Sequence, residues 1–178
     1  MEDAIRPLPV VDDESRPYWE AGREGGLSFA SCQGCGALLH PPVPVCRYCR
    51  SDDIARRTVS GCGVVVGVTV NHHQWDPRFP PPYVIATVAV DEDPRVRVTS
   101  NLVDVEPGDV RVGMKVVVRF EHHEDVWIPL FAPSGEPDGE LPSDETPPDD
   151  HRRWVRPLSG SRSGWRSRVS GCRPSAVA

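Results

Sequence analysis

The chain has 178 residues, a length sufficient for one medium domain or two very small ones. Of these residues 38% are hydrophobic and 20 are proline. It contains no run of 18 apolar residues, and its first residues lack the basic and apolar regions of a secretory signal, so we expect a cytoplasmic protein without a membrane anchor. Residues 1–150 carry 26 acidic and 13 basic side chains, a net charge of −13, which argues against nucleic acid as a ligand.

The first predicted element is a short helix over residues 14–24, ended by the two glycines at 25–26. Tyr18 and Trp19 give this helix an apolar surface. We therefore expect the helix to dock, either on its own domain or on a partner, and both aromatic residues are candidate contacts.

Four cysteines form two closely spaced pairs, in the order Cys-x2-Cys, ten residues, Cys-x2-Cys: Cys32, Cys35, Cys46 and Cys49. Each pair can close a tight turn whose backbone amides point at the thiolates, and two such turns supply the four sulfurs of a tetrahedral metal site. The spacing predicts zinc, with iron in a rubredoxin-like site as the alternative. Because cysteine fills all four positions, the metal would be structural and not catalytic.

Apolar patterning changes to that of strands after the cysteines. A strand at 27–31 leads into the first cysteine pair, and five more strands are predicted at 64–70, 83–90, 95–102, 115–120 and 126–131. The last two are close enough to form a hairpin, and a turn is expected within 105–113. Five strands over about 75 residues, with one interruption before the fourth, match a small Greek-key barrel of the OB type.

The predicted protein is therefore mainly β and falls into four parts. These are an N-terminal helical segment (1–26), a rubredoxin-like zinc ribbon (27–57), a five-stranded OB-fold barrel (58–133) and a disordered tail (134–178). The tail is rich first in proline and acidic residues and then in arginine, serine and glycine, so it cannot bury enough apolar area to offset the entropy of ordering.

The order of these parts, together with several short stretches, resembles the bacterial and archaeal family called domain of unknown function 35. The stretches are Ser15 to Glu20, the two cysteine pairs, Ser60 to Gly63, Pro82 to Ala86, Thr99 to Val103, Val112 to Met114 and Ile128 to Phe131. The resemblance implies a zinc-ribbon/OB-fold protein associated with acyl-CoA metabolism, with structural Zn²⁺ as its cofactor.

Members of that family act as partners of thiolase-superfamily proteins. The resemblance therefore implies a hetero-oligomer that processes an acyl-CoA thioester, in which this chain is an accessory subunit of an aldolase (a lyase) or of a thiolase (an acyltransferase). Residues 71–79 and 124–127 look most similar to the members from steroid side-chain degradation, whose partner is a retro-aldolase.

The residues themselves give little support for catalysis by this chain alone. The sequence lacks a nucleophile elbow, a phosphate-binding glycine loop and a His-Glu-x-x-His helix, so no catalytic residue is assigned. The segment between the first two barrel strands exposes aromatic residues where OB folds commonly place ligand contacts, which makes His72, His73, Trp75 and Phe79 candidate contacts for a substrate or partner. A stand-alone acyl-CoA-binding protein and, less favoured, an OB protein that binds single-stranded nucleic acid are the alternatives.

Overall fold

Apolar and β-branched runs form eight strands, preceded by one short α-helix, in the computed structural model, which describes residues 6–142. The helix α1 is Arg16–Glu20, and the strands are β1 Leu27–Cys32, β2 Leu38–Leu39, β3 Ile54–Val59, β4 Cys62–Asn71, β5 Tyr83–Val90, β6 Asp93–Leu102, β7 Lys115–His123 and β8 Val126–Pro133. Short 3-10 helices cover Ala21–Glu24 and Pro107–Asp109. The predicted disorder of residues 143–178 lies outside the described residues. Within 6–142, no helix has the length and apolar character needed to cross a bilayer.

Strands β1 to β3 form an antiparallel sheet in the order β2-β1-β3. The central strand is buried along its whole length, and it pairs Ala30 with Leu39 on one side and Cys32 with Ile54 on the other. Of these three strands, only β1 was predicted. The sheet places the first cysteine pair at the end of its central strand.

The remaining strands close into a barrel in the order β4-β5-β6-β8-β7, which confirms the predicted five-stranded architecture. Neighbouring strands are antiparallel except for the contact of β6 with β8, which is parallel and pairs Leu102 with Phe131. All five predicted barrel strands are present: β5 has the predicted bounds, and the other four extend beyond the predicted ends. The 3-10 helix before β7 lies within the predicted turn at 105–113.

One apolar core joins the barrel to the three-stranded sheet. Its barrel side is made mainly of valines and one aromatic residue, each less than 2% exposed: Val65, Val88, Val90, Val96, Val116 and Phe131. The sheet contributes Leu27, Phe29 and Leu38 to the same cluster. The sheet and the barrel are therefore packed together and not merely linked in sequence.

The N-terminal helix packs on this chain, but it differs from the single helix predicted over 14–24. The α-helical turn of α1 gives way to a 3-10 turn, and Gly25 ends it with a φ of 72°. Gly22 lies so close to the β7–β8 hairpin that a Cβ atom there would lie 2.3 Å from Cβ of Trp127 and 2.5 Å from the ring of Phe120. The absence of a side chain at this position lets the helix approach the barrel closely.

Residues 134–142 also differ from the prediction, which made them the start of a disordered tail. Asp138 accepts two hydrogen bonds from the guanidinium of Arg111, at 2.7 and 2.9 Å, and the Gly139 N–H donates to the Gly113 carbonyl at 2.8 Å. These contacts hold the segment against the end of the barrel at which β7 begins.

Candidate metal centre and exposed aromatic loop

The four paired cysteines converge on one point. Every pair of their sulfur atoms lies within 4.8 Å. The Sγ atoms of Cys32 and Cys49 are 3.4 Å apart, and those of Cys35 and Cys46 are 3.6 Å apart. A tetrahedral centre with metal–sulfur bonds of about 2.3 Å places its sulfurs about 3.8 Å apart. The donor set and its spacing therefore fit a four-coordinate zinc ion with no open position.

The two cysteine turns are built in the same way. The residue after the second cysteine of each pair is left-handed, Gly36 with a φ of 75° and Arg50 with a φ of 60°. Its N–H donates to the carbonyl of the first cysteine, at 2.8 Å to Cys32 and 2.9 Å to Cys46. The second turn thus uses an arginine where glycine is the ordinary choice, and this conformation was not foreseen from the sequence.

The thiols differ in how easily they ionise. Burial raises the pKa of Cys35 to about 12. Burial also opposes ionisation of Cys46, but N–H groups of Cys49 and Tyr48 donate to its sulfur and its pKa falls to about 7. A bound cation is what would hold all four groups as thiolates at neutral pH, since a coordinated thiol is deprotonated by the metal charge.

A buried carboxylate connects this metal centre to the barrel. Asp93, at the start of β6, is 7% exposed, and it accepts hydrogen bonds from the Leu38 N–H at 3.2 Å and from the Arg95 guanidinium at 2.7 and 2.8 Å. The guanidinium of Arg95 lies 4.7 Å from the ring centroid of Tyr48, and the Tyr48 N–H donates to Cys46 Sγ at 3.4 Å. This chain of contacts, here called the Asp93 link, was not predicted, because it joins residues that are far apart in the sequence.

The segment 72–82, here called the 72–82 loop, presents one tryptophan to solvent. The side chain of Trp75 is 74% exposed, yet its indole N–H donates to Asn71 Oδ1 at 2.9 Å and its ring packs edge-on against His73 at 4.5 Å. Asp76 and Arg78 brace the loop through a salt bridge of 2.7 Å. An exposed apolar side chain is therefore held in a defined orientation.

The other predicted contact residues have different environments. His72 is exposed, and Phe79 is half-buried with its ring centroid 4.4 Å from that of Tyr83.

Tyr18 is only 6% exposed, because its ring packs against Phe29 and His40, at centroid distances of 6.0 and 5.0 Å. Burial gives Tyr18 a packing role inside the chain, and Trp19, 4.9 Å from it, is half-buried against the same core. Tyr18 and Trp19 therefore pack on the chain's own core, whereas Trp75 faces solvent.

Two family models match consecutive parts of the chain. The first, described as the rubredoxin-like zinc ribbon domain of ChsH2, matches residues 19–55, and the second, described as the C-terminal OB-fold domain of ChsH2, matches residues 56–121. The observed three-stranded sheet and barrel correspond to these two domains.

Curated proteins from several prokaryotes are similar to the chain. A DUF35 domain-containing scaffold protein of Pyrococcus furiosus is 36% identical over 107 residues, which are 56% of this chain and 72% of the relative. A probable enoyl-CoA hydratase alpha subunit of Thermomonospora curvata is 34% identical over 132 residues, 74% of this chain but 41% of the relative. A 3-oxo-4,17-pregnadiene-20-carboxyl-CoA hydratase alpha subunit of Mycobacterium tuberculosis is 37% identical over 98 residues, 55% of this chain and 31% of the relative. The chain therefore spans less than half the length of these two hydratase subunits.

Solved structures give the same family and fold. A chain of the Ltp2-ChsH2(DUF35) aldolase superposes with a TM-score of 0.65 at 32% identity, covering 71% of this chain and 98% of that chain. A DUF35 protein of unknown function from Sulfolobus solfataricus, at 14% identity and a TM-score of 0.50, shares the fold, over 69% of this chain and 87% of that one.

Proposed function

Because this chain belongs to the ChsH2/DUF35 family of zinc-ribbon/OB-fold proteins, we propose that it is a non-catalytic or co-catalytic subunit of an acyl-CoA-processing complex with a thiolase-superfamily partner. The observation that carries the proposal is the match to nearly the whole of one chain of a structure described as the Ltp2-ChsH2(DUF35) aldolase. The reaction we propose for the complex is retro-aldol cleavage of a steroid side chain held as a CoA thioester.

The proposed role of the metal is to fix the ribbon. Cys32, Cys35, Cys46 and Cys49 would hold a structural zinc ion, which supplies a cross-link between the two turns and takes no part in the reaction. Four thiols remain available for a metal in a reducing compartment, and a cytoplasmic location is therefore part of the proposal.

The proposed docking surface is the 72–82 loop, with Trp75 as its anchor. Tryptophan is among the residues that most often dominate interface energies, because it buries a large area at a small cost in conformational entropy. Its indole N–H is already satisfied by Asn71, so burial against a partner leaves no donor without an acceptor. Residues 27–133, which form the ribbon and the barrel, carry 12 acidic and 10 basic side chains, so their net charge of −2 provides no general attraction for a polyanion.

Within this proposal the two neighbouring histidines are contact residues. His73 supports the Trp75 ring, and His72 is exposed beside it at the rim of the surface. Phe79 supports the base of the loop through Tyr83. The reacting groups would belong to the partner, which is why no catalytic residue is assigned to this chain.

The docking surface is tested by comparing Trp75→Ala with Val112→Ala in the complex with the thiolase-superfamily protein encoded nearest to the gene. Val112 is also an exposed apolar residue, at 44%, but it lies outside the 72–82 loop, in the segment before β7. Trp75→Ala should weaken the partner's affinity by about 30-fold, the effect of losing an interface anchor of about 2 kcal/mol, and Val112→Ala should leave it unchanged.

Equal affinity of both variants would remove the 72–82 loop from the interface. If Trp75→Ala instead abolishes binding of an acyl-CoA to the isolated chain, measured by calorimetry, the loop serves a stand-alone acyl-CoA-binding protein.

A further inference from the structure

The 72–82 loop is fixed mainly by contacts within itself and with the strand residues at its two ends, Asn71 of β4 and Tyr83 of β5. Asp76 bonds Arg78, and the side-chain amide of Gln74 donates to the Pro77 carbonyl at 3.3 Å. Both contacts join residues two or three positions apart. A loop held only by such contacts could swing as a unit about its two ends, at β4 and β5.

One side chain from the N-terminal segment connects the loop to two barrel strands. The guanidinium of Arg6 lies 4.6 Å from the ring centroid of Phe79, its Nε donates to Glu121 Oε2 at 2.9 Å, and one terminal nitrogen donates to Asn101 Oδ1 at 2.6 Å. Asn101 is itself fixed, since its amide donates to the Val84 carbonyl at 2.8 Å. Arg6 therefore joins the 72–82 loop to β6 and β7.

The contacts that Arg6 makes with Phe79 and Glu121 can hold the 72–82 loop in one orientation. The Arg6 side chain is 15% exposed, so both its stacking on Phe79 and its charge-assisted bond to Glu121 are shielded from water. Arginine alone among the basic residues combines a planar face for an aromatic ring with a fork of donors for a carboxylate. A lysine at this position could reach one partner but could not reproduce the arrangement.

We propose that Arg6 is a positioning residue that holds the 72–82 loop, and with it Trp75, in the orientation that receives the partner. The inference rests on the docking surface proposed above. The simpler reading is that Arg6 anchors only its own N-terminal segment, which has no regular secondary structure from residue 6 to residue 12. Removal of the Arg6 side chain should loosen the 72–82 loop if Arg6 positions it, and should leave the loop unchanged if Arg6 anchors only its own segment.

Limited trypsin digestion of the full chain separates them, because the Arg78–Phe79 bond is a tryptic site inside the loop. A protease needs the local chain to open before it can cut. In Arg6→Ala, cleavage after Arg78, followed by mass spectrometry, should become about tenfold faster. The matched control is Arg111→Ala, which breaks a comparable two-bond contact with Asp138 that includes no residue of the loop and should leave that rate unchanged.

Two further variants, Glu121→Gln and Arg6→Lys, keep the test informative. Glu121→Gln removes the charged acceptor and should accelerate cleavage less than Arg6→Ala does, while Arg6→Lys should fail to restore full protection. An unchanged cleavage rate in Arg6→Ala, with an unchanged melting temperature and zinc content, overturns the inference and leaves Arg6 as an anchor of its own segment. Should Trp75→Ala bind the partner normally while Arg6→Ala still frees the loop, the docking surface fails but the positioning role of Arg6 stands.

Discussion

The ribbon and the barrel of this protein are stabilised by different means. The barrel closes its strand ladder and fills its interior with valines and Phe131, which belong to the larger apolar cluster. Around the cysteines, the buried residues of the second apolar cluster are Ala30, Cys32, Leu39 and Cys46, and two of these four are proposed metal ligands. We expect a region with so little apolar burial to depend on a bound metal, whereas the barrel relies on the larger apolar core that it shares with Leu27, Phe29 and Leu38.

Loss of the metal should have the largest effect on stability, and it should affect the ribbon more than the barrel. Cys46→Ser removes one of four ligands, and structural zinc sites contribute about 10–16 kcal/mol at neutral pH. We expect the variant to lose zinc and residues 27–57 to lose amide protection, while the barrel strands keep theirs. Zinc analysis and hydrogen exchange measure the two effects.

Ser51→Ala is the control for that experiment, because Ser51 lies in the second cysteine turn without supplying a sulfur. It should retain one zinc ion per chain. Loss of protection throughout the barrel in Cys46→Ser would show that the two regions unfold as one unit.

A smaller effect is expected at the Asp93 link, where the two regions meet. Asp93→Asn keeps the shape of the side chain but removes the charge that pairs with Arg95, so unfolding should become easier by about 1–3 kcal/mol. Ribbon amides should lose more protection than barrel amides, because the Leu38 N–H and the Tyr48 turn both depend on this contact. Denaturant titration and hydrogen exchange provide the measurement.

Asp91→Asn is the matched control for the Asp93 link. Asp91 pairs with Lys115 at 3.2 Å, but its side chain is 39% exposed, so the same substitution should change stability by less than about 0.5 kcal/mol. Equal destabilisation by the two substitutions would mean that Asp93 acts as one surface charge among others.

Local patterns made most of the architecture predictable. The close spacing within each cysteine pair predicts the turn that the pair forms, and each of the five barrel strands is visible as an apolar or alternating run, although only β5 has the predicted bounds. Strand β3 was not predicted because Arg56 and Arg57 lie in its centre, where its exposed residues carry no apolar signal. Strand β2 has only two residues, too few for any periodicity to be detected.

Contacts between distant parts of the chain could not be predicted in this way. Asp93 meets the Leu38 N–H across 55 positions, and Arg6 meets Glu121 across 115. Neither arginine nor aspartate is unusual in its local sequence, so only the packed fold reveals these partners. Burial of Tyr18 has the same origin, since the sequence left open whether its helix docks on this chain or on another protein.

The central claim is that this chain works as a subunit of an acyl-CoA enzyme, and reconstituted turnover tests it most directly. The chain and the thiolase-superfamily protein encoded nearest to its gene would be expressed separately and together, and cleavage or transfer of an acyl-CoA would be measured for each preparation. The account predicts a stable, zinc-containing complex that turns over substrate, and no turnover by this chain alone. Full aldolase or thiolase activity of the isolated chain, or a folded chain that does not associate with that protein, would contradict it.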